Sequence, residues 1–374
     1  MNNIPLGNFL SEYTERNTNN AHKPVAVGRY GIRTRESIYS KELAKDYSKN
    51  KLIFKDTLTV GMGSVQIDIG VLSTDNVYSV SPAYHTYRIN GINPDYLRYC
   101  LECRNQDMFV RYVKKGSRQG KTIDLSRWLT YEIPVYSQDK QKEIVTRIDS
   151  VQKLVEANEL QLAKLDELVK SRFVEMFGDP VSNPKGWPVQ NFEDISVLIT
   201  DGEHATPRRS ERGIYLLSAR NVLNHTLQLD DVDFIDEEEY CRIARRVAPQ
   251  EGDVLISCSG SIGRCCVVPA NLRFQMVRST ALIRFTEEIN PIFAEWLIAS
   301  EELQRQIAQS ATQSSQANLF QGKIQKLHGY VPPKELQDEF AAFAAEVDKS
   351  KLAVKQSLEK LETLKKSLMQ QYFG

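Results

Sequence analysis

Apolar and polar positions along the chain follow two patterns, and each pattern occurs twice. The first is a heptad step. Ile144, Ile148, Val151, Val155, Asn158, Leu162, Leu165, Val169, Arg172 and Met176 advance by alternating steps of four and three residues. That step is the a/d seam of a coiled coil, here sustained over roughly five heptads. A second seam runs through Phe340, Ala344, Val347, Val354, Leu358, Leu361, Leu368 and Tyr372. Lys351 and Lys365 interrupt it, and Leu364 is expected to lean in beside the latter. The second pattern is short and β-rich. It appears as KLIFKDTLTVGMGSVQIDIGVL and VYSVSPAYHTYRI in the first half, then as DVLISCSGSIGRCCVVP and QMVRSTALIRF in the second. In both halves an Asn-Pro pair, Asn93-Pro94 and Asn290-Pro291, then opens a helix-like stretch, Asn as N-cap and Pro at the first helical position.

These patterns are copies of one another at a spacing of 196–197 residues. DTLTVGMGSV at Asp56–Val65 returns as DVLISCSGSI at Asp253–Ile262, and QKEIVTRIDSVQK from Gln141 returns as QDEFAAFAAEVDK from Gln337. Each long helical segment stops at Phe-Gly, at Phe177-Gly178 and at Phe373-Gly374. A period this long is a duplicated domain, since solenoid units repeat every ~20–50 residues. The expected organisation is a first module over 1–138, a helix over 139–178, a second module over 179–334 and a second helix over 335–374. SNPKGWP at Ser182–Pro188 is a turn-rich boundary. The fold class is α+β, with two α/β modules separated by two helices of about 55 Å that pair as an antiparallel coiled coil. Parallel pairing is not excluded by chain length. Antiparallel pairing is favoured because it relates the modules by a pseudo-twofold, far apart.

Composition changes this picture little. Hydrophobic residues make up 41% and charged residues 26% of 374 residues, as in ordinary globular proteins. No run approaches a membrane span, and the polar N-terminus does not read as a signal peptide, so a cytoplasmic chain with no membrane partner is expected. Six cysteines, two of them adjacent, suit reduced structural thiols better than a disulfide framework. Lys and Arg total 48, as do Asp and Glu, which argues against an indiscriminate nucleic-acid binder. The charge is segregated, however. Met108–Ile123 carries five basic residues and no acid, and Val254–Thr286 carries four arginines and no acid. DDVDFIDEEE at Asp230–Glu239 supplies part of the opposite sign and reads as a solvated loop and helix start.

Candidate chemistry narrows quickly. NPDY at Asn93–Tyr96 is similar to the N-P-P-Y motif of amino-methyltransferases, but its copy at Asn290 reads NPIF, and no S-adenosylmethionine loop precedes it. A capped helix start is the better reading. Cys100 and Cys103 form a C-x-x-C inside a helical pattern with no second ligand pair, and the five histidines are scattered, so no metal site is expected. No nucleotide-binding or hydrolase motif occurs. What remains is a vocabulary of loops rich in Arg, Lys, Ser, Gln and Asn: VGRYGIRTR, KKGSRQGK, DGEHATPRR, SARN, SCSGS and TQSSQAN. Such side chains contact phosphates and base edges.

The junction MFGDPVSNPKGWP, the block GDVLISCSGSIG with LLSARNV upstream, and the I-x-P helix starts together resemble the specificity subunit of type I restriction-modification systems. The resemblance spans the chain. It implies a non-catalytic subunit whose two modules each read half of a split, asymmetric site on double-stranded DNA. It also implies that the helices form a spacer and dock methyltransferase subunits, two in number, to which restriction subunits can add. No cofactor is implied on this chain; the assembly would use S-adenosylmethionine, and ATP with Mg for restriction. Half-site centres would lie about one DNA turn, 34–36 Å, apart, and extrusion of the adenine would fall to the partner. Base readers are then expected at Arg29, Tyr30, Arg118, Gln119, His204, Arg208, Arg220 and Asn221. Phosphate clamps are expected at Lys114, Lys115, Lys121, Arg209, Arg264 and Arg278, with further DNA contacts at Arg33, Thr206 and Ser261. Ile148, Val155, Leu162, Leu165, Leu358 and Leu361 would form the coil interface. In module one, GRYGIRTR would stand where SARNV stands in module two. The rival readings are a recognition subunit of another DNA-modification system and a coiled-coil scaffold whose modules bind proteins.

Overall fold

A computed structural model describes residues 2–28, 31–38, 46–116, 120–311 and 318–374. The chain divides into two compact units, one of Met1–Glu159 with Gln356–Gly374 and one of Leu160–Lys355.

In the first unit, β1 (Leu10–Glu12), β2 (Thr57–Met62), β3 (Ile67–Val71) and β4 (His85–Ile89) form an antiparallel sheet in the order β1-β4-β2-β3. The helix Pro94–Cys103 packs on one face, where Tyr96, Leu97, Cys100 and Leu101 join Leu58, Val60, Ile67 and Ile69. A hairpin of Val25–Gly28 with Gly31–Thr34 covers the other face. Gly70 permits that approach, because a Cβ there would lie 2.5 Å from Ile32. Of GRYGIRTR, Gly28 and Gly31–Thr34 lie in these paired strands, whereas SARN in the second unit includes a short 3-10 turn at Ala219–Asn221. The two segments are not counterparts.

The second unit repeats the plan. Here β5 (Ser196–Asp201), β6 (Val254–Ser257), β7 (Cys265–Val267) and β8 (Thr280–Phe285) run antiparallel in the order β5-β8-β6-β7. Helix Pro291–Ile298 packs against it, contributing Phe293, Ala294, Leu297 and Ile298 to the main core. The unit adds a three-stranded sheet of Asp233–Ile235, Ile214–Leu217 and Phe274–Met276, the last two parallel.

Both Asn-Pro pairs start helices. Asn93 Oδ1 accepts the Tyr96 N–H at 2.9 Å, and Asn290 Oδ1 accepts the Ile292 N–H at 2.9 Å. Tyr96 is wholly buried and donates its hydroxyl to the Pro134 carbonyl at 2.7 Å, so the aromatic of NPDY is a core residue with no open face. Cys100 lies in the same core.

The long helices span Gln138–Phe177 and Lys334–Phe373. In the first unit Arg147 bonds Tyr372, Gln152 accepts from Lys365 and Asn158 donates to Ser357. In the second unit Asp166 pairs with Lys351 and Arg172 with Glu339. Partner numbers fall as helix numbers rise within each unit, so the coiled coil is antiparallel there. Ile148 and Val155 are buried, while Leu162, Leu165, Leu358 and Leu361 are half-buried. Lys351 sits in the seam, with its side chain 12% exposed, because Asp166 at 2.7 Å and Asp348 at 3.3 Å receive its charge. Lys365 is likewise satisfied by Gln152 Oε1 at 2.6 Å. Leu364 does not lean in beside it; at 46% exposure it faces solvent.

Candidate nucleic-acid interface

In the first unit the basic run Met108–Ile123 begins in the helix Asn105–Tyr112 and goes on to a second strand pair, Val113–Gly116 against Gly120–Ile123. Lys114 pairs with Asp124 at 2.6 Å. Lys115 stands opposite Lys121 in the strand register. Lys121 Nζ donates to the Ser64 carbonyl at 2.5 Å and lies 5.2 Å from the Phe109 ring centre. The hairpin is thereby tied to the Gly63-Ser64 turn between β2 and β3. Gly63 is required in that turn, since a Cβ would fall 2.6 Å from Asp68 Oδ1 and 2.8 Å from the Gln66 carbonyl. Arg33 is exposed on the first hairpin. Arg29, Tyr30, Arg118 and Gln119 lie outside the described residues.

In the second unit the acidic run changes the meaning of the predicted arginines. Arg208 pairs with Asp236 at 3.0 Å and Glu238 at 2.8 Å. Arg209 meets Asp233 at 3.0 Å, and Arg220 meets Asp233 at 3.2 Å and Asp231 at 3.6 Å. Arg242 bonds Glu239, and Arg273 bonds Glu237. Asp230–Glu239 is therefore a strand and helix start whose carboxylates gather arginines, not merely a solvated loop. Asn221 corrects the sequence expectation outright. It is 1% exposed. Its Oδ1 accepts the Ser218 N–H, and its Nδ2 donates to the Gln228 and Asp231 carbonyls. With the amide consumed in bracing the loop, no base edge can reach it.

The remaining candidates lie on exposed or half-exposed backbone. His204 is exposed and shares a 2.8 Å hydrogen bond with Asp201. Thr206 and Ser261 are exposed, the Ser261 carbonyl accepting from Ser257 Oγ at 2.6 Å. Arg264 is half-buried and its N–H donates to Ser257 Oγ at 3.0 Å. Arg278 is exposed, and among the described residues its guanidinium has no partner. It borders a cleft of about 730 Å³ that His204, Ser259, Gly260, Asn318 and Phe320 also line. Phe320, 64% exposed, belongs to no heptad or alternating pattern, and sequence reasoning missed it. Its only signal was a large aromatic two residues after the polar run TQSSQAN. No three His, Cys, Asp or Glu side chains among the described residues converge as a metal set.

Residues 10–167 match the family described as the type I restriction modification DNA specificity domain. The match takes in the β1–β4 sheet, both hairpins and most of the first long helix. The crystal structure of the type I restriction-modification S subunit from M. genitalium superposes with a TM-score of 0.60, covering 100% of this chain and 96% of that one at 13% identity. A chain described under complex assembly and conformational transition of the type I R-M system gives 0.56, 100% and 97%, at 16% identity. At these identities the likeness is one of fold, and it extends through both units.

The specificity domain's sheet order thus recurs in β5–β8, while the loops that carry charge do not recur. One consequence of the acidic run is measurable. Hydrogen bonds from Arg242, joined by the Arg208 N–H, hold the Glu239 carboxyl down at about 2. A lowered carboxylate contributes stability in full above its ordinary range near 4.5 and loses it as pH falls towards 2. Glu239→Gln is therefore expected to lower the melting temperature of the chain at neutral pH, with the gap to wild type closing between about pH 4.5 and 2. A gap that stays constant across that window would remove the ion pair as its cause.

Proposed function

We propose that this chain is a sequence-specific DNA-binding specificity subunit of a type I restriction-modification complex, reading a bipartite, asymmetric site. The observation that carries the proposal is one specificity-domain sheet built twice with unlike loops. Two copies of the same frame present the same positions to DNA, and different loops at those positions favour different bases. The half-sites therefore differ. The antiparallel helix pairing found within each unit supports a spacer that also docks methyltransferase subunits. The chain itself carries no catalytic group in this reading. S-adenosylmethionine, and ATP with Mg where restriction subunits join, belong to the partners, and the assembly works in the cytoplasm. No helix among the described residues is long and apolar enough to cross a membrane.

Methylome sequencing of the host tests this reading. A split adenine-methylation motif should be present with the chain and vanish on its deletion. An unchanged methylome would favour a protein-binding scaffold instead.

A further inference from the structure

We infer that the second unit reads base pairs through the cleft at Arg278 and Phe320, and not through the arginines beside the acidic run; this rests on the DNA-specificity reading above. Charge separates the two surfaces. Arg208, Arg209, Arg220, Arg242 and Arg273 pair with six carboxylates within Asp230–Glu239, so that face offers a polyanion no surplus of positive charge. Among the described residues the Arg278 guanidinium has no partner, and its planar fork matches the O6 and N7 acceptors of guanine.

The aromatic at the cleft points the same way. Phe320 keeps most of its ring in water, forgoing part of the stabilisation that burial would contribute. Its backbone is nevertheless well held. Leu319, 2% exposed, donates its N–H to the Cys258 carbonyl at 2.9 Å, and the Phe320 carbonyl accepts from Lys323 at 2.8 Å. An exposed ring on an anchored backbone is prepared for an apolar contact, such as a thymine methyl or an opened base step. Ser259 and Asn318 pair as a bridge across the cleft and add hydroxyl and amide groups. Gly260, at φ +69°, has nothing within 4 Å of a built Cβ, so the floor admits close approach. The first unit places a cation at the matching turn, where Lys121 reaches Ser64.

The test is methylome sequencing of the host carrying Arg278→Ala, Arg278→Lys or Phe320→Ala in the full chain with its native partners. Each variant should relax one position of one half-site, raising methylation of formerly excluded sequences by roughly 5- to 150-fold, while the other half-site stays intact. Arg278→Lys keeps the charge and loses the fork, so it should relax the motif as well. Uniform loss at every site with the motif unchanged would make Arg278 a phosphate clamp and overturn its reading role. An unchanged motif in all three variants, or relaxation by Arg208→Ala in their place, would overturn the cleft while leaving the DNA-specificity reading standing. Absence of any split motif in the wild type would overturn both.

Discussion

Phe177→Ala is expected to destabilise the second unit by about 3–5 kcal/mol, the usual range for emptying a buried aromatic site. Phe177 is wholly buried at the end of the first long helix. Its ring centre lies 5.0 Å from Phe173, 4.9 Å from Phe293 and 5.6 Å from Phe340. Tilted and edge-on pairs of this kind add about 0.5–1.5 kcal/mol beyond area. The site cannot easily collapse, because the chain turns sharply just beyond it. Gly178 adopts φ +84°, and a Cβ there would lie 2.8 Å from Pro184. The Phe177 carbonyl also accepts from the Trp187 indole at 2.9 Å. Urea unfolding of the full chain followed by tryptophan emission measures the loss. A change under about 1 kcal/mol would mean that the helix end is not part of that core.

Gln337→Leu is expected to cost about 2–3 kcal/mol, through unsatisfied backbone groups and not through volume. Gln337 is wholly buried at the start of the second long helix. Its Oε1 accepts the Asn290 N–H at 2.8 Å, and its Nε2 donates to the carbonyls of Pro332 at 2.8 Å and Glu288 at 3.2 Å. Leucine fills the space yet leaves a buried donor and two acceptors without partners. The first unit has the same clamp: Gln141 Oε1 accepts the Asn93 N–H at 2.9 Å, and its Nε2 donates to the Tyr136 carbonyl at 2.8 Å. Gln141→Leu should therefore show the same loss, and equal unfolding midpoints for wild type and both variants would refute the clamp. The repeated Gln of QKE and QDE is thus a tie between each long helix and the Asn-Pro helix before it. The duplication made this residue visible in the sequence, but not its purpose.

Fold and site differed in how much the chain disclosed. The heptad steps, the duplicated β-rich runs and the Asn-Pro starts are local or periodic signals, and they announced the coil, the sheets and the capped helices. Lys351 and Lys365 looked like breaks in the seam; Asp166 and Gln152 turn them into cross-helix bonds. The loops were harder. Arg208, Arg209 and Arg220 read as DNA contacts because nothing in a linear pattern shows that Asp231, Asp233, Asp236 and Glu238 lie beside them. Asn221 read as a base reader because its commitment to the Ser218, Gln228 and Asp231 backbone arises only on folding.

By itself, the sequence determined the repeat, the two long amphipathic helices and the strand cores, because hydrophobic periodicity and capping act over a few residues. Only the tertiary structure decided the antiparallel pairing within each unit, the neutralised arginine face, and the open cleft with Arg278 and Phe320. Each of those depends on which distant charges and rings end within a few ångströms of one another, and that distance is a property of the folded chain.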